Sequence, residues 1–134
     1  MTITLQASRA ATSERAVIFT TDGPFARFAM MAARQIADRH PVRDFDICLC
    51  FPDAPPPVPP GLADLDIRFC RLDTGTLLDD LRLEPGRNRI VLMRLALAQA
   101  FAAAYRRVLY LDSDIFVQGG GFGALLDLDL GPHP

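Results

Sequence analysis

RVLYLDSDIFV, residues 107–117, carries the clearest structural signal in the chain. Its first five residues are rich in apolar and aromatic side chains, which predicts a buried strand over residues 107–111. Two acidic residues, Asp112 and Asp114, follow directly. Ligands of open parallel sheets collect beyond the carboxyl ends of the strands, so this position makes the acidic pair a candidate site. By itself, the tripeptide Asp112-Ser113-Asp114 is also compatible with two solvated carboxylates in a loop.

On either side of this stretch, apolar runs alternate with helical patterns. Three more strands are predicted at residues 16–21, 45–51 and 65–72, helices at 24–40, 77–83 and 88–104, and one helical turn at 122–126. Residues 115–117 would extend the last strand or begin another. This alternation predicts an α/β fold, an open and mostly parallel sheet with flanking helices and right-handed crossovers.

The remaining segments predict surface structure. Residues 1–15 are polar, small and aperiodic, which predicts a loose N-terminal tail before a single domain over residues 16–134. The run PDAPPPVPPG, residues 52–61, contains too much proline for a helix or an inner strand, so we expect an extended connection there.

Composition excludes several classes of protein. All 14 basic residues are arginine, so no P-loop lysine or Schiff-base lysine can occur. A net charge of -2 provides no general attraction to nucleic acid or to acidic membranes. We expect no signal peptide and no transmembrane segment, and we expect the three cysteines to be buried, reduced thiols of a cytoplasmic protein.

The acidic residues at the predicted sheet edge favour a metal site. On an extended backbone, Asp112 and Asp114 would point to the same side, because side chains two residues apart do so. Two carboxylates suit Mg²⁺ or Mn²⁺, which keep open positions for phosphate oxygens. Asp22 follows the first predicted strand and would reach the same edge.

Arg94 stands in a predicted helix that is otherwise apolar nearly all round. We expect a buried guanidinium here, and a buried guanidinium needs an anionic partner. Asp112, Asp114 or a bound diphosphate would each serve, since arginine's fork fits carboxylate and phosphate. A purely structural ion pair is the alternative, and the sequence leaves it open.

Four segments in order resemble glycosyltransferase family 8. They are TTDGPFARFAMMAARQIADRHP at residues 20–41, MRLALAQAF at 93–101, RVLYLDSDIFV at 107–117 and LLDLDLG at 125–131. The resemblance implies a Rossmann-like GT-A sheet that binds a nucleotide-diphospho-sugar. The implied activity is metal-dependent transfer of a hexose from a UDP-sugar, with retention of configuration.

The resemblance also implies roles for individual residues. The donor-binding positions are Thr20, Thr21, Asp22, Phe25, Arg94, Asp112 and Ser113. Asp112 and Asp114 would bind Mn²⁺, or Mg²⁺, together with the donor diphosphate, and Ser113 would contact the ribose. The end of the first strand would meet the uridine, with the Phe25 ring stacked on uracil. No catalytic residue is identified.

The sequence departs from the family pattern in three ways. Gly23-Pro24 stands where the family tends to have acidic and amide residues, and Leu92 replaces an aromatic residue. The family continues beyond Pro134 with an acceptor-binding region and a distant metal-ligating histidine, and His133 lies too close to the acidic pair to match it. We therefore expect the N-terminal half of a transferase, with weak donor binding and self-association.

Three classes of function match parts of the sequence. The first is a transferase acting on an unidentified glycan, lipid or protein acceptor. The second is a degenerate transferase that binds a nucleotide or a partner without catalysis. The third, a haloacid-dehalogenase-type phosphatase, is disfavoured because it needs a downstream lysine.

Overall fold

A computed structural model of the protein describes residues 3–75 and 90–132, apart from the side chains of residues 90–92. In this part of the chain, five strands form one sheet. They are β1 (Thr4–Ala7), β2 (Arg15–Thr20), β3 (Asp46–Phe51), β4 (Arg68–Asp73) and β5 (Arg107–Leu111). The helices are α1 (Ala26–Arg39), α2 (Ile90–Phe101) and α3 (Phe122–Leu126), and Pro60–Leu62 forms a 3₁₀ turn.

The order of the strands across the sheet is β1-β4-β3-β2-β5. Strands β4, β3, β2 and β5 are parallel, and β1 pairs antiparallel with β4. The chain therefore first moves outward from β2 to β3 and β4, and it then returns to the other side of β2 to form β5. Such a reversal of strand order opens a crevice at the carboxyl ends of the two strands concerned, here β2 and β5.

Helices cover both faces of the sheet. On one face, Val17 and Phe19 of β2 belong to the same buried cluster as Ala29 and Ile36 of α1. On the other face, Ile18 of β2 is buried with residues of α2. Burial on both faces explains why β2 and β3 are runs of apolar residues without polar alternation. The predicted α/β sheet, mostly parallel with flanking helices, is confirmed.

Helix α1 ends against aromatic side chains. Its C-terminal neighbour, His40, donates its backbone N–H to the carbonyl of Ile36 at 2.9 Å. The imidazole of His40 lies edge-on to the rings of Phe45 and Phe122, with centroid distances of 5.4 and 5.6 Å. His40 is therefore a packing residue at the junction of α1, β3 and α3.

The N-terminal segment differs from the expected loose tail. Residues Thr4–Ala7 form β1, whose register pairs Leu5 with Leu72 of β4. Beyond β1, Ser8 donates its backbone N–H to the carbonyl of Phe69 at 2.8 Å. This pairing depends on the exposed edge of β4, so the local sequence of the tail does not reveal it.

A buried carboxylate anchors the same segment at the opposite end of the sheet from the β2–β5 crevice. Asp46, which is 3% exposed, accepts hydrogen bonds from the Tyr105 hydroxyl at 2.6 Å and from the Thr12 backbone N–H at 3.0 Å. Burial opposes the charge of Asp46, but the hydrogen bonds from Tyr105 and Thr12 outweigh it, so its pKa lies below the usual value. The network joins β3 to the segment before β2 and to the segment between α2 and β5.

The remaining predictions have mixed outcomes. All three cysteines are buried and free, as expected. Strand β5 has the predicted bounds, but residues 115–117 form no strand. The helix predicted at 77–83 and residue His133 lie outside the described residues. Within residues 3–75 and 90–132, no helix combines the length and the apolar character needed to cross a bilayer.

We predict that Tyr105→Phe lowers the free energy of unfolding by about 1.5–3 kcal/mol at neutral pH, because it removes a hydrogen bond to a buried carboxylate. The lowered pKa of Asp46 means that the ionised carboxylate stabilises the fold above about pH 4 and that this contribution is lost at lower pH. The penalty of Tyr105→Phe should therefore shrink below about pH 4. Denaturant unfolding at several pH values measures it.

Tyr110→Phe is the matched control, because the Tyr110 hydroxyl contacts the uncharged hydroxyl of Thr20. Its penalty should be about 0.5–1.5 kcal/mol and should not change through the same acid range. Equal pH dependence of the two variants would contradict the assignment to Asp46.

Candidate functional site

The parallel register of β2 and β5 places two loops at one edge of the sheet. Phe19 of β2 pairs with Leu111 of β5, so the strands end side by side. Thr20 ends β2 beside β3, and residues 21–22 and 112–114 leave the sheet directly after the two strands. The structure thus brings together the predicted nucleoside-binding end and the predicted metal-binding end of the site.

At the end of β2, the two threonines are directed into the protein. Thr20 and Thr21 are 2% and 1% exposed, and the backbone N–H of Thr21 donates to the carbonyl of Cys50 at 2.9 Å. Their hydroxyls are engaged as well, that of Thr20 with Tyr110 and that of Thr21 with the carbonyl of Asp22 at 3.3 Å. Any contact of these two residues with a ligand would therefore be made through the backbone.

The next residues face the crevice more openly. Asp22 is partly exposed, and its Oδ1 accepts a hydrogen bond from the backbone N–H of Phe25 at 3.2 Å. This contact holds the carboxylate at the start of α1. The Phe25 ring is 55% exposed and contacts the ring of Phe28 at a centroid distance of 6.4 Å. An exposed aromatic ring beside the crevice offers a flat surface on which a planar base could stack.

The acidic pair lies in a turn. Strand β5 ends at Leu111, and Ser113 and Asp114 belong to a turn, so the expected extended backbone over Asp112–Asp114 is wrong. Both carboxylates are nevertheless exposed, while the hydroxyl of Ser113, between them, points inward and donates to the carbonyl of Thr20 at 3.0 Å. The inward serine explains how both acidic neighbours can face solvent.

The donor set suits a hard, partly hydrated cation. Asp112 and Asp114 offer carboxylate oxygens, the ligand type that Mg²⁺ and Mn²⁺ prefer. In the part of the chain that the structure describes, no group of three or more His, Cys, Asp or Glu residues is arranged to hold a metal ion. A cation here would therefore take at most two ligands from these residues and keep positions for water and phosphate, which is the usual binding mode of Mg²⁺.

Arg94 does not have the expected environment. Its side chain is exposed, and among residues 3–75 and 90–132 no ion pair joins it to Asp112 or Asp114. Among the side chains of α2 that the structure describes, those of Met93, Ala96, Leu97 and Phe101 are buried instead. The predicted burial of the guanidinium is therefore wrong, because the sheet covers the neighbouring positions of α2 and leaves position 94 in water.

Tyr110 is a site residue that sequence reasoning missed. Its hydroxyl lies 3.1 Å from the Thr20 Oγ1 atom, directly below the crevice. A signal was available, because alternation along β5 places Tyr110 on the opposite face from Leu109 and Leu111. The register partner of Tyr110, Ile18, packs on the same face, and Thr20 lies two residues further along β2.

A model of the family "Glycosyl transferase family 8" matches residues 16–134. No curated protein matches the chain in sequence.

Solved structures share the fold. The galactosyltransferase LgtC in complex with donor and acceptor sugar analogs has a TM-score of 0.68 and 22% identity, and the match covers 87% of this chain and 43% of that one. The apo form of the glycosyltransferase GlyE of Streptococcus pneumoniae TIGR4 has a TM-score of 0.50 and 22% identity, with 89% and 28% covered. The GT-A-like class is confirmed, and the chain spans less than half the length of these enzymes.

We predict that Arg94→Met changes the free energy of unfolding by no more than about 0.5 kcal/mol, as is usual for exposed positions. Arg68→Met is the matched control, because Arg68 is buried and donates to the carbonyl of Arg9 at 2.9 Å. Loss of that donor should cost about 1–3 kcal/mol. Denaturant unfolding of both variants compares them, and a large loss in Arg94→Met would show that position 94 is not solvated.

Proposed function

The chain belongs to glycosyl transferase family 8, and from this membership we propose that it binds the donor in a hexosyl transfer from a UDP-sugar. The transfer would proceed with retention of configuration to a glycan, lipid or protein acceptor. One observation carries the proposal: the adjacent ends of β2 and β5 bring Asp22 and Phe25 to the same sheet edge as Asp112 and Asp114.

The end of β2 is proposed to hold the uridine. The exposed ring of Phe25 would stack on uracil, and the backbone of Thr20 and Thr21 would supply polar contacts, since their hydroxyls are turned into the protein. Asp22 is held beside Phe25 by its hydrogen bond to the backbone N–H. Its carboxylate would face the nucleoside, where a uracil N–H or a ribose hydroxyl can donate to it.

The end of β5 is proposed to hold the metal. Enzymes of this family generally use a divalent metal. Asp112 and Asp114 would bind Mn²⁺, or Mg²⁺, through exposed carboxylates, with the donor diphosphate at the open positions. When bound, the cation would neutralise the negative charge that builds up on the departing UDP.

The role proposed for Arg94 differs from a buried ion pair. As a crossover helix, α2 runs antiparallel to the strands, so its N-terminal turns lie toward the carboxyl edge of the sheet. The guanidinium of Arg94, exposed in the second turn of α2, could therefore contact the diphosphate of a donor bound at this edge. We propose that Arg94 contacts the donor phosphates and not the acidic pair.

We predict that Mn²⁺ strengthens UDP binding and that the double change Asp112→Asn and Asp114→Asn removes this enhancement. Neutral amides bind hard cations poorly, so the metal-dependent part of the affinity should fall by about tenfold or more, or about 1.4 kcal/mol. Calorimetric titration of the chain with UDP, with and without Mn²⁺, measures the change.

The chain contains a control at Asp127 and Asp129, another exposed acidic pair with the same spacing. This pair follows α3 and not a strand end. Its double change to asparagine should leave the Mn²⁺-dependent affinity for UDP unaltered, with circular dichroism confirming that both variants fold. Equal losses in the two double variants would place the metal effect elsewhere.

A further inference from the structure

We propose that Thr20, Tyr110 and Ser113 form a hydroxyl clamp that sets the separation between the nucleoside end and the metal end of the donor site. The inference rests on the proposed function, because it concerns how the two halves of that site are held together. In the clamp, all three act as positioning residues through their side-chain hydroxyls.

Two hydrogen bonds of the clamp converge on one residue. The Ser113 hydroxyl donates to the backbone carbonyl of Thr20 at 3.0 Å. The side chain of the same Thr20 lies 3.1 Å from the Tyr110 hydroxyl, at hydrogen-bond distance. Thr20, the last residue of β2, is therefore tied both to Tyr110 near the end of β5 and to the loop that follows β5.

The clamp acts where the backbone ladder no longer does. The register of β2 with β5 ends at the pair Phe19 and Leu111, so residues 112–114 lie beyond it. The Ser113 hydroxyl continues the connection past the end of the sheet. Asp112 and Asp114 flank Ser113 directly, so the position of its side chain also limits where both carboxylates can lie.

Burial makes the Tyr110 half of the clamp stiff. Thr20 is 2% exposed, and Tyr110 is partly buried against the cluster under α2. Water cannot easily replace either hydroxyl, so the two remain hydrogen-bonded to each other. Thr20 is then held by Tyr110 at its side-chain hydroxyl and by Ser113 at its backbone carbonyl.

The functional consequence is a coupling between two ligands. UDP would contact β2 through its base and the cation through its diphosphate. The benefit that each ligand gains from the other depends on a fixed distance between the two ends. Such a benefit is a coupling free energy, and it is reciprocal. Loosening the clamp should weaken this coupling more than it weakens the binding of either ligand alone.

The experiment measures the ratio of UDP dissociation constants without and with saturating Mn²⁺. Ser113→Ala should lower this ratio about three- to tenfold, the range usual for residues that modulate coupling. The fall in this ratio should exceed any change in the UDP affinity measured without metal. Ser113→Thr retains the hydroxyl and should restore the ratio, which a loss of bulk stability would not explain.

The Tyr110 half is tested by a double-mutant cycle. Thr20→Val and Tyr110→Phe each remove the same hydrogen bond while nearly preserving shape. Each should lower the ratio, and the double variant should lower it no further than the stronger single change. The electron paramagnetic resonance spectrum of Mn²⁺ in the presence of UDP provides a second readout, and it should broaden in the variants as the metal environment becomes heterogeneous.

Ser13→Ala is the control, since Ser13 also donates its hydroxyl to a backbone carbonyl, that of Asp44, at the other end of the sheet. It should leave the ratio unchanged. An unchanged ratio in Ser113→Ala, with wild-type coupling present, would overturn the clamp while leaving the proposed function intact. If Mn²⁺ does not change the UDP affinity of the wild-type protein, both the clamp and the proposed function are overturned.

Discussion

The parallel pairing of β2 with β5 is the constraint on which the candidate site depends. β2 lies between β3 and β5, and every residue from Ala16 to Thr20 is buried, so its register cannot slip without exposing apolar side chains. Residues that leave the two strands at the same edge therefore hold a fixed relation to each other. The acidic turn after β5 needs little structure of its own, because the sheet positions it.

The carboxylates at the two ends of the sheet have opposite environments. At the amino end, the carboxylate of Asp46 is buried and satisfied by Tyr105 and Thr12. At the carboxyl end, Asp112 and Asp114 remain exposed to solvent. A carboxylate that already has internal donors stabilises the fold, whereas one left in water keeps its lone pairs for a ligand. This contrast separates a structural acid from candidate ligands within one short chain.

Much of the sheet could be predicted from the sequence, since buried parallel strands are continuous apolar runs and β5 is one of them. Two failures have different physical origins. β1 depends on pairing with the edge of β4, a tertiary contact that its own sequence, TLQA, does not predict. Helix α2 is so uniformly apolar that its periodicity does not show which side faces water, so the exposure of Arg94 could not be read from it. Strand ends alone indicate the positions of Asp22 and the acidic pair, but they do not show that the Ser113 hydroxyl points inward.

The three buried cysteines can report the local opening of the sheet through their reactivity. Cys48, Cys50 and Cys70 lie on neighbouring strands with no exposed surface. Contact with Cys70 and burial hold the pKa of Cys48 well above its usual value, so the thiol stays protonated and unreactive. Alkylation by a small thiol reagent must then wait until the middle of the sheet separates. The rate of mass gain under native conditions would follow the opening equilibrium of β3 and β4, and it would do so without any added probe.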